Sequence, residues 1–562
     1  MPAPQKSTSR SILSISLGIV LCLSLSTFAQ TIATPEQYLY SIPKPNFKRG
    51  HTLKLLTYTG WGSENSNTVV ELADKWGYAL DFGVATRYGV TTLLTNSQNR
   101  NYGFAQLVNS DSNKFKAAWH CIKQFDIESY LTSGYTNKDQ VTGRFYSKSC
   151  YATNASGDYL DPQGNISATP AVFSVHMPNA DLQRQTDAQI ELLKIANSNC
   201  PISIIINDGE WGLYEYSGHW RAHHKDPRFV ADMAAQGVTI VPDVYNADFK
   251  IYQYFSQKKS RELSFLARAI ATNFPNAFYY WYKTDAEKGR YYGRVAGTDY
   301  GTNYSTGSNF DSRYVATNFA LPICESYFWS ANVGLTNNYT AYGIDIAKTS
   351  MPFQFENWAG YQNVNGRPLS YNYLSAGWGR AWMTNASIPS YLGHQQYMGL
   401  LKCYYTLGMI GGNAGNYEDF NTPFNAPFPP SNPPQWLTQK IALALVHAQF
   451  SWLEDYLRNG SLVAGPYTNL LSTDRMSYDF NQGTNGANTA HIFVRKKNDS
   501  NSWLITAWTA DATNSNVTIA VPTLGTVTVR ATQDGTVYTA TTNKLTVFII
   551  PPGTPQASPA AQ

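Results

Sequence analysis

Ile204-Ile205-Ile206-Asn207-Asp208-Gly209-Glu210-Trp211-Gly212 is the stretch on which the reading of this chain turns. Three β-branched apolar residues run straight into an amide, two carboxylates and an indole. A strand that is apolar on both faces belongs in a parallel sheet, where helices cover both sides. The polar cluster stands where that strand ends, and in α/β barrels the carboxyl ends of the strands carry the chemistry. A period of two along residues 202–210 puts Ile202, Ile204, Ile206, Asp208 and Glu210 on one side, with Ser203, Ile205, Asn207 and Gly209 on the other. Gly209 lets the chain bend, so the last residue need not keep the alternation. A carboxyl beside an indole and partly out of water has its pKa raised, which suits a general acid working near neutrality.

Working outward, residues 50–460 alternate strand-like apolar runs with helical stretches, the pattern of βα units. Leu53 to Tyr58, Tyr78 to Phe82 and Val172 to His176 are read as strands one to three. Asp181 to Asn197 is a helix stopped by Pro201, and the opening stretch is strand four. Ala277 to Tyr282 is the fifth strand and Leu321 to Tyr327 the sixth. Pro352 to Trp358, or the later Leu374 to Trp378, supplies the seventh, and Met409 to Asn413 the eighth. Leu437, Ile441, Leu445, Ala448 and Trp452 form the apolar stripe of a last helix. The fold class is therefore α/β, a (β/α)8 TIM barrel over 30–462. After it, short segments rich in Val, Thr, Ile and Tyr run from Thr489 to Ile550, separated by Asn, Gly, Asp and Pro. They predict a small all-β sandwich over 463–553. A Pro/Ala/Ser-rich tail occupies 554–562.

Residues 1–29 read as a cleaved signal peptide: basic Lys6 and Arg10, an apolar run from Ile12 to Leu25, and Thr27-Phe28-Ala29 at the cut. That run falls short of the roughly 20 residues needed to span a bilayer. A secreted or periplasmic protein with no stable membrane insertion follows. Without the two basic residues of that segment, 40 of the chain's 42 lysines and arginines face 38 acids. This balance, with no basic tract, argues against a nucleic-acid partner. Of six cysteines, five remain after Cys22 is removed. Their wide spacing fits neither a zinc ribbon nor a disulfide scaffold; Cys121–Cys150 is the pair considered for an exported protein. Aromatic residues make up 14% of the chain. Rings that also donate hydrogen bonds suit sugars, which present C–H faces and hydroxyls, although most such rings are core.

Cleaving a glycosidic bond takes two carboxyl groups. The partner of Glu210 is read as Glu356, in Phe353-Gln354-Phe355-Glu356-Asn357-Trp358, or as Glu325, in Pro322-Ile323-Cys324-Glu325-Ser326-Tyr327; Glu418 and Asp419 are outsiders. Asn207, Asp208, His176, Trp211, Tyr282, Trp358 and Trp378 are the substrate-contact candidates, and Asp285 follows the fifth strand. His219, His223 and His224 form a cluster, but no HExxH or carboxylate pattern completes a zinc site. No G-x-S-x-G elbow, Walker loop or dinucleotide fingerprint is present, so no metal and no cofactor is expected.

In layout the chain resembles an exported retaining glycoside hydrolase of the clan A type, a barrel followed by a β-sandwich. In that clan the acid/base Glu closes strand four directly after Asn, and the nucleophile Glu closes strand seven. Here Asp208 and Gly209 stand between Asn207 and Glu210, which leaves the acid role open between Asp208 and Glu210. The resemblance implies a nucleophile at Glu356 if that residue ends strand seven; if Leu374 to Trp378 is strand seven, Glu325 gains. It implies a poly- or oligosaccharide substrate. The alternative from another class is a non-catalytic carbohydrate-binding or surface protein on a barrel scaffold.

Overall fold

A computed structural model describes residues 32–48, 55–58, 66–83, 96–120, 146–207, 216–246, 248–283, 321–329, 370–378, 393–414, 426–463, 479–480, 490–509 and 514–550. Eight strands pair in parallel: β1 (Leu56–Tyr58), β2 (Leu80–Gly83), β3 (Ala117–His120), β4 (Ile202–Asn207), β5 (Phe278–Lys283), β6 (Leu321–Trp329), β7 (Ser370–Trp378) and β8 (Met409–Ala414). Their order is β1-β8-β7-β6-β5-β4-β3-β2, so each neighbours the next in chain order. The two outermost, β1 and β2, meet at a parallel bridge between Leu55 and Tyr78, where the Ala79 N–H donates to the Leu55 carbonyl at 2.8 Å.

Helices alternate with these strands. They include α1 (Pro35–Ser41), α2 (Ser66–Trp76), α3 (Arg100–Ser110), α4 (Asn179–Asn199), α5 (Tyr216–Lys225), α6 (Pro227–Ala235), α7 (Phe249–Asn273), α8 (His394–Leu407), α9 (Gln435–Trp452) and α10 (Glu454–Arg458). β4 shows why the apolar run becomes a strand covered on both sides. Ile205 packs with Leu193 of α4 and Ile270 of α7, while Ile204 and Ile206 join a different cluster with Ala118 and Tyr280. All three isoleucines are at most 1% exposed, and burying each contributes roughly 2–3 kcal/mol. α4 ends where Pro201 forbids continuation, and Asn197 Oδ1 accepts from the Ile202 N–H at 3.0 Å, so helix and strand join without a spacer.

One expected strand is corrected. Val172 to His176 is not the third strand; that place belongs to Ala117–His120. Val172 to His176 instead sits in a lobe, where Phe173 makes only an isolated bridge with Tyr151. The apolar alternation that suggested a strand reflects burial of Phe173 and Val175 in the core of that lobe. The seventh strand is Ser370–Trp378, which contains the later of the two expected stretches, Leu374 to Trp378; Pro352 to Trp358 lies outside the described residues. The supposed pair Cys121–Cys150 is not formed: Cys150 is a buried free thiol that burial pushes up to about 12.

The β-rich remainder holds β9 (Gly460–Leu462), β10 (Asp479–Phe480), β11 (Ala490–Lys497), β12 (Ser502–Thr509), β13 (Ser515–Val521), β14 (Gly525–Ala531), β15 (Thr536–Thr541) and β16 (Lys544–Val547), all antiparallel. The sheet β9-β11-β12-β15-β16 shares one apolar core with the hairpin β13-β14. In β13 the buried residues alternate as Val517, Ile519 and Val521, the mark of a sheet with one face in water.

α8 fastens this unit to the parallel sheet. At Gly399 a Cβ would lie 2.0 Å from Trp508 Cδ1 and 2.3 Å from the Gln533 carbonyl, so only glycine permits the approach. Lys402 Nζ donates to the Gly535 carbonyl at 2.8 Å, and the Thr406 and Thr506 hydroxyls are 2.6 Å apart. Arg495 of β11 is fully buried and donates to the carbonyls of Thr406, Tyr456, Leu457 and Gly460. The acceptors Thr406, Tyr456 and Leu457 are at the ends of α8 and α10, where carbonyls lack partners within the helix.

Gly399 and Gly103 make opposed predictions. Gly103, inside α3, has nothing within 4 Å of its notional Cβ. Gly103→Ala should raise unfolding stability by about 0.5–1 kcal/mol, whereas Gly399→Ala should lower it by about 2–4 kcal/mol. Denaturant unfolding checks both, and equal effects would contradict the tight seam at α8.

Candidate functional site

Parallel order brings the carboxyl ends of all eight strands to one end of the sheet: Tyr58, Gly83, His120, Asn207, Lys283, Trp329, Trp378 and Ala414. β4 ends at Asn207, so Asp208, Glu210 and Trp211 follow directly on that end, outside the described residues, as are Glu356 and Trp358. The register sets levels between strands. Asn207 pairs with Trp281 and Trp281 with Pro322. Glu325 lies three residues beyond Pro322 on β6 and pairs with Tyr373 of β7. Glu325 is thus an interior position of a strand that runs on to Trp329.

Register also sorts the faces, because paired residues of neighbouring parallel strands lie on the same side. Phe82, Trp119, Ile205 and Tyr279 pack with α2, α3, α4 and α7. The opposite face carries Ala118, Ile204, Ile206 and Tyr280. Ile206 pairs with Tyr280 and Tyr280 with Leu321, Tyr282 pairs with Ile323, and Glu325 pairs with Tyr373. Trp378 ends β7 paired with Trp329, after a register irregularity.

His176 is not at a strand end. The connections that follow β3 and β4 build the lobe, whose core joins Tyr151, Phe173, Val175 and Met177 to Tyr216 of α5, Phe229 and Met233 of α6, and Ile251 and Tyr254 of α7. On its flank His176 Nε2 lies 3.0 Å from Asp232 Oδ2 and 3.4 Å from the Tyr254 hydroxyl, while Nδ1 lies 3.2 Å from Ser174 Oγ. Tyr254 also donates to Asp232, and Ser174 Oγ lies 3.4 Å from Asp226 Oδ2. Asp226 N-caps α6 and is gripped by Arg228 at 2.7 Å. Burial pulls the His176 pKa down against the pull of Asp232. Burial works to raise the Asp232 carboxyl, but hydrogen bonds from Tyr254 and His176 outweigh it. Residues 174, 226, 232 and 254 share no sequence period, so nothing in the chain announced this network.

The three histidines of α5 do not converge. His224 bonds to the Tyr216 hydroxyl at 2.6 Å and to the Val241 carbonyl at 3.0 Å. His223 is buried between Phe229 and Phe255, and neither ring nitrogen has a hydrogen-bond partner among the described residues. No group of three or more His, Cys, Asp or Glu among the described residues is placed to hold a metal ion.

Burial holds the His223 pKa well below its ordinary value, with His219, His224, His176 and Arg228 adding like charge. The folded lobe therefore keeps His223 neutral, while the unfolded chain takes up its proton below about pH 6.5. Stability from this residue is complete above that pH and falls as pH drops, by about 1.4 kcal/mol per unit. Between pH 7.5 and 5 the parent protein should lose about 2 kcal/mol more than His223→Leu in denaturant unfolding; identical losses would contradict a neutral buried imidazole.

No protein-family model matches this chain, and no curated protein matches it in sequence. Among solved structures it is similar to a maltogenic α-amylase from Thermotoga neapolitana at 8% identity, over 88% of this chain and 98% of that one, with a TM-score of 0.37. It is also similar to an α-galactosidase from Geobacillus stearothermophilus at 10% identity, over 88% and 54%, with a TM-score of 0.38. A β-galactosidase from Halorubrum lacusprofundi aligns at 10% identity, over 71% and 58%, with a TM-score of 0.40.

Proposed function

We propose that this chain is an exported glycoside hydrolase that cleaves a poly- or oligosaccharide with two carboxyl groups and retention of configuration. Its eight parallel strands are read as a (β/α)8 barrel over 30–462, with a sandwich over 463–553, a signal peptide over 1–29 and a tail over 554–562. The observation that carries the reading is the place of Glu325 on β6, three residues past Pro322, which pairs with Trp281 as Asn207 does. Glu210 follows Asn207 by three residues in the sequence. A retaining pair holds its carboxyl groups ~5–5.5 Å apart.

The seventh strand supports Glu325 over Glu356. β7 contains no acid, and none occurs from residue 357 to 417. A nucleophile at the end of strand seven, which the clan A resemblance implies, has no residue there to supply it. In the proposed reaction Glu210, with Asp208 beside it, donates a proton to the glycosidic oxygen while the Glu325 carboxylate attacks the anomeric carbon. The resulting glycosyl ester is hydrolysed by a water that the Glu210 carboxylate deprotonates, which restores both groups. Tyr282, the register partner of Ile323, and Tyr373, the register partner of Glu325, are assigned to hydroxyl contacts.

Sugar release from starch, xylan, galactomannan and mixed-linkage β-glucan tests this. The parent protein should release sugar from at least one, Glu210→Gln and Glu325→Gln should each lower turnover about 10²–10⁴-fold, and Glu356→Gln should stay within about tenfold. An inactive parent, or Glu210→Gln at full activity, overturns the reading.

A further inference from the structure

The loop Val241-Pro242-Asp243-Val244-Tyr245-Asn246, between α6 and α7, exposes apolar side chains. Val241, Val244 and Tyr245 are 48%, 56% and 44% exposed. The loop is nevertheless tied down at every turn. The Tyr216 hydroxyl donates to the Asn246 carbonyl at 2.8 Å, His224 Nδ1 meets the Val241 carbonyl, and Asn246 Nδ2 donates to the Thr239 carbonyl at 3.2 Å. Asp243 adopts a left-handed φ of 59°, rare outside glycine, and lies 3.1 Å from Lys225 Nζ. The Tyr245 ring stacks on the buried Tyr216 ring at 5.6 Å and meets the edge of Trp220 at 5.7 Å. The Arg221 guanidinium covers Trp220 at 4.3 Å.

We infer that Tyr245, with Trp220 and Val244, is a binding platform for a carbohydrate chain, an inference that rests on the proposed hydrolase reading. A ring held by two neighbouring rings and still 44% exposed offers a surface of the kind the C–H face of a sugar stacks upon. Fixing it beforehand removes the ordering cost that binding would otherwise carry. The rim provides hydroxyl partners in Lys225, Asp243 and Arg221, and the ion pair between the first two leaves little net charge to attract a polyanion. Three side chains cover far less than the roughly 800 Å² each partner contributes to a stable protein interface. The loop also belongs to the connection between β4 and β5.

Affinity electrophoresis of the full chain carrying Glu210→Gln, in gels containing starch, xylan, galactomannan or β-glucan, tests the inference. At least one polysaccharide should retard it. Adding Tyr245→Ala should weaken the apparent affinity about threefold to tenfold, and Tyr245→Trp should retain it. Tyr245→Ala in the otherwise unaltered protein should leave the turnover of a short chromogenic glycoside unchanged and the protein folded, with a melting temperature lowered by a few degrees for the lost ring contacts. Absence of retardation, or equal retardation of Tyr245→Ala, overturns the platform. So does a concentration-dependent dimer that Tyr245→Ala abolishes, since it assigns the patch to self-association. Tyr245-dependent retardation in a protein whose parent form hydrolyses nothing would refute the hydrolase reading and leave the platform standing.

Discussion

Everything in this molecule depends on the parallel register of its eight strands. Parallel pairing forces each strand to be reached by a crossover, so helices must cover the sheet and all strand carboxyl ends must gather at one side. That constraint explains why Ile204-Ile205-Ile206 is apolar without interruption: Ile205 faces α4 and α7, while its neighbours fill the other face. It also explains why residues as distant in sequence as Asn207, Lys283 and Trp378 share one rim. Acids and aromatic rings concentrated in the segments leaving that rim are what the proposed chemistry requires.

Much of this was legible from sequence. The strands starting at Leu56, Ile202, Phe278, Leu321 and Met409 fall where β-branched and aromatic runs predicted them, and the six segments between Thr489 and Ile550 match their strands closely. Local pattern sufficed there because β-branched and aromatic residues recur with the period of a strand. The third strand was missed for the converse reason. Ala117-Ala118-Trp119-His120 is short and lacks β-branched residues, while Val172 to His176 alternates like a strand yet packs into a lobe. Burial and strand pairing impose the same period, and sequence alone cannot separate them.

The site was legible only in part. Periodicity placed Asp208 and Glu210 on one side of strand four, and Ile204 and Ile206 do share a face with Tyr280. Spacing in the sequence left Glu325 and Glu356 as alternatives, because level along a sheet is a property of hydrogen-bond register and not of spacing; Glu356 lies outside the described residues. His176 entered as a strand-end residue and proves to belong to a network with Ser174, Asp226, Asp232 and Tyr254. Residues so scattered meet only once the connections after β3 and β4 fold together.

The most direct test of the account is covalent trapping. The protein would be treated with an activated 2-deoxy-2-fluoro glycoside of the sugar it hydrolyses, then digested and mapped by mass spectrometry. The fluorine slows both steps and the activated leaving group restores the first, so a glycosyl ester accumulates on the attacking carboxylate. The account predicts the label on Glu325, within the β6 peptide. A label on Glu356, or inversion of configuration without any label, would contradict it.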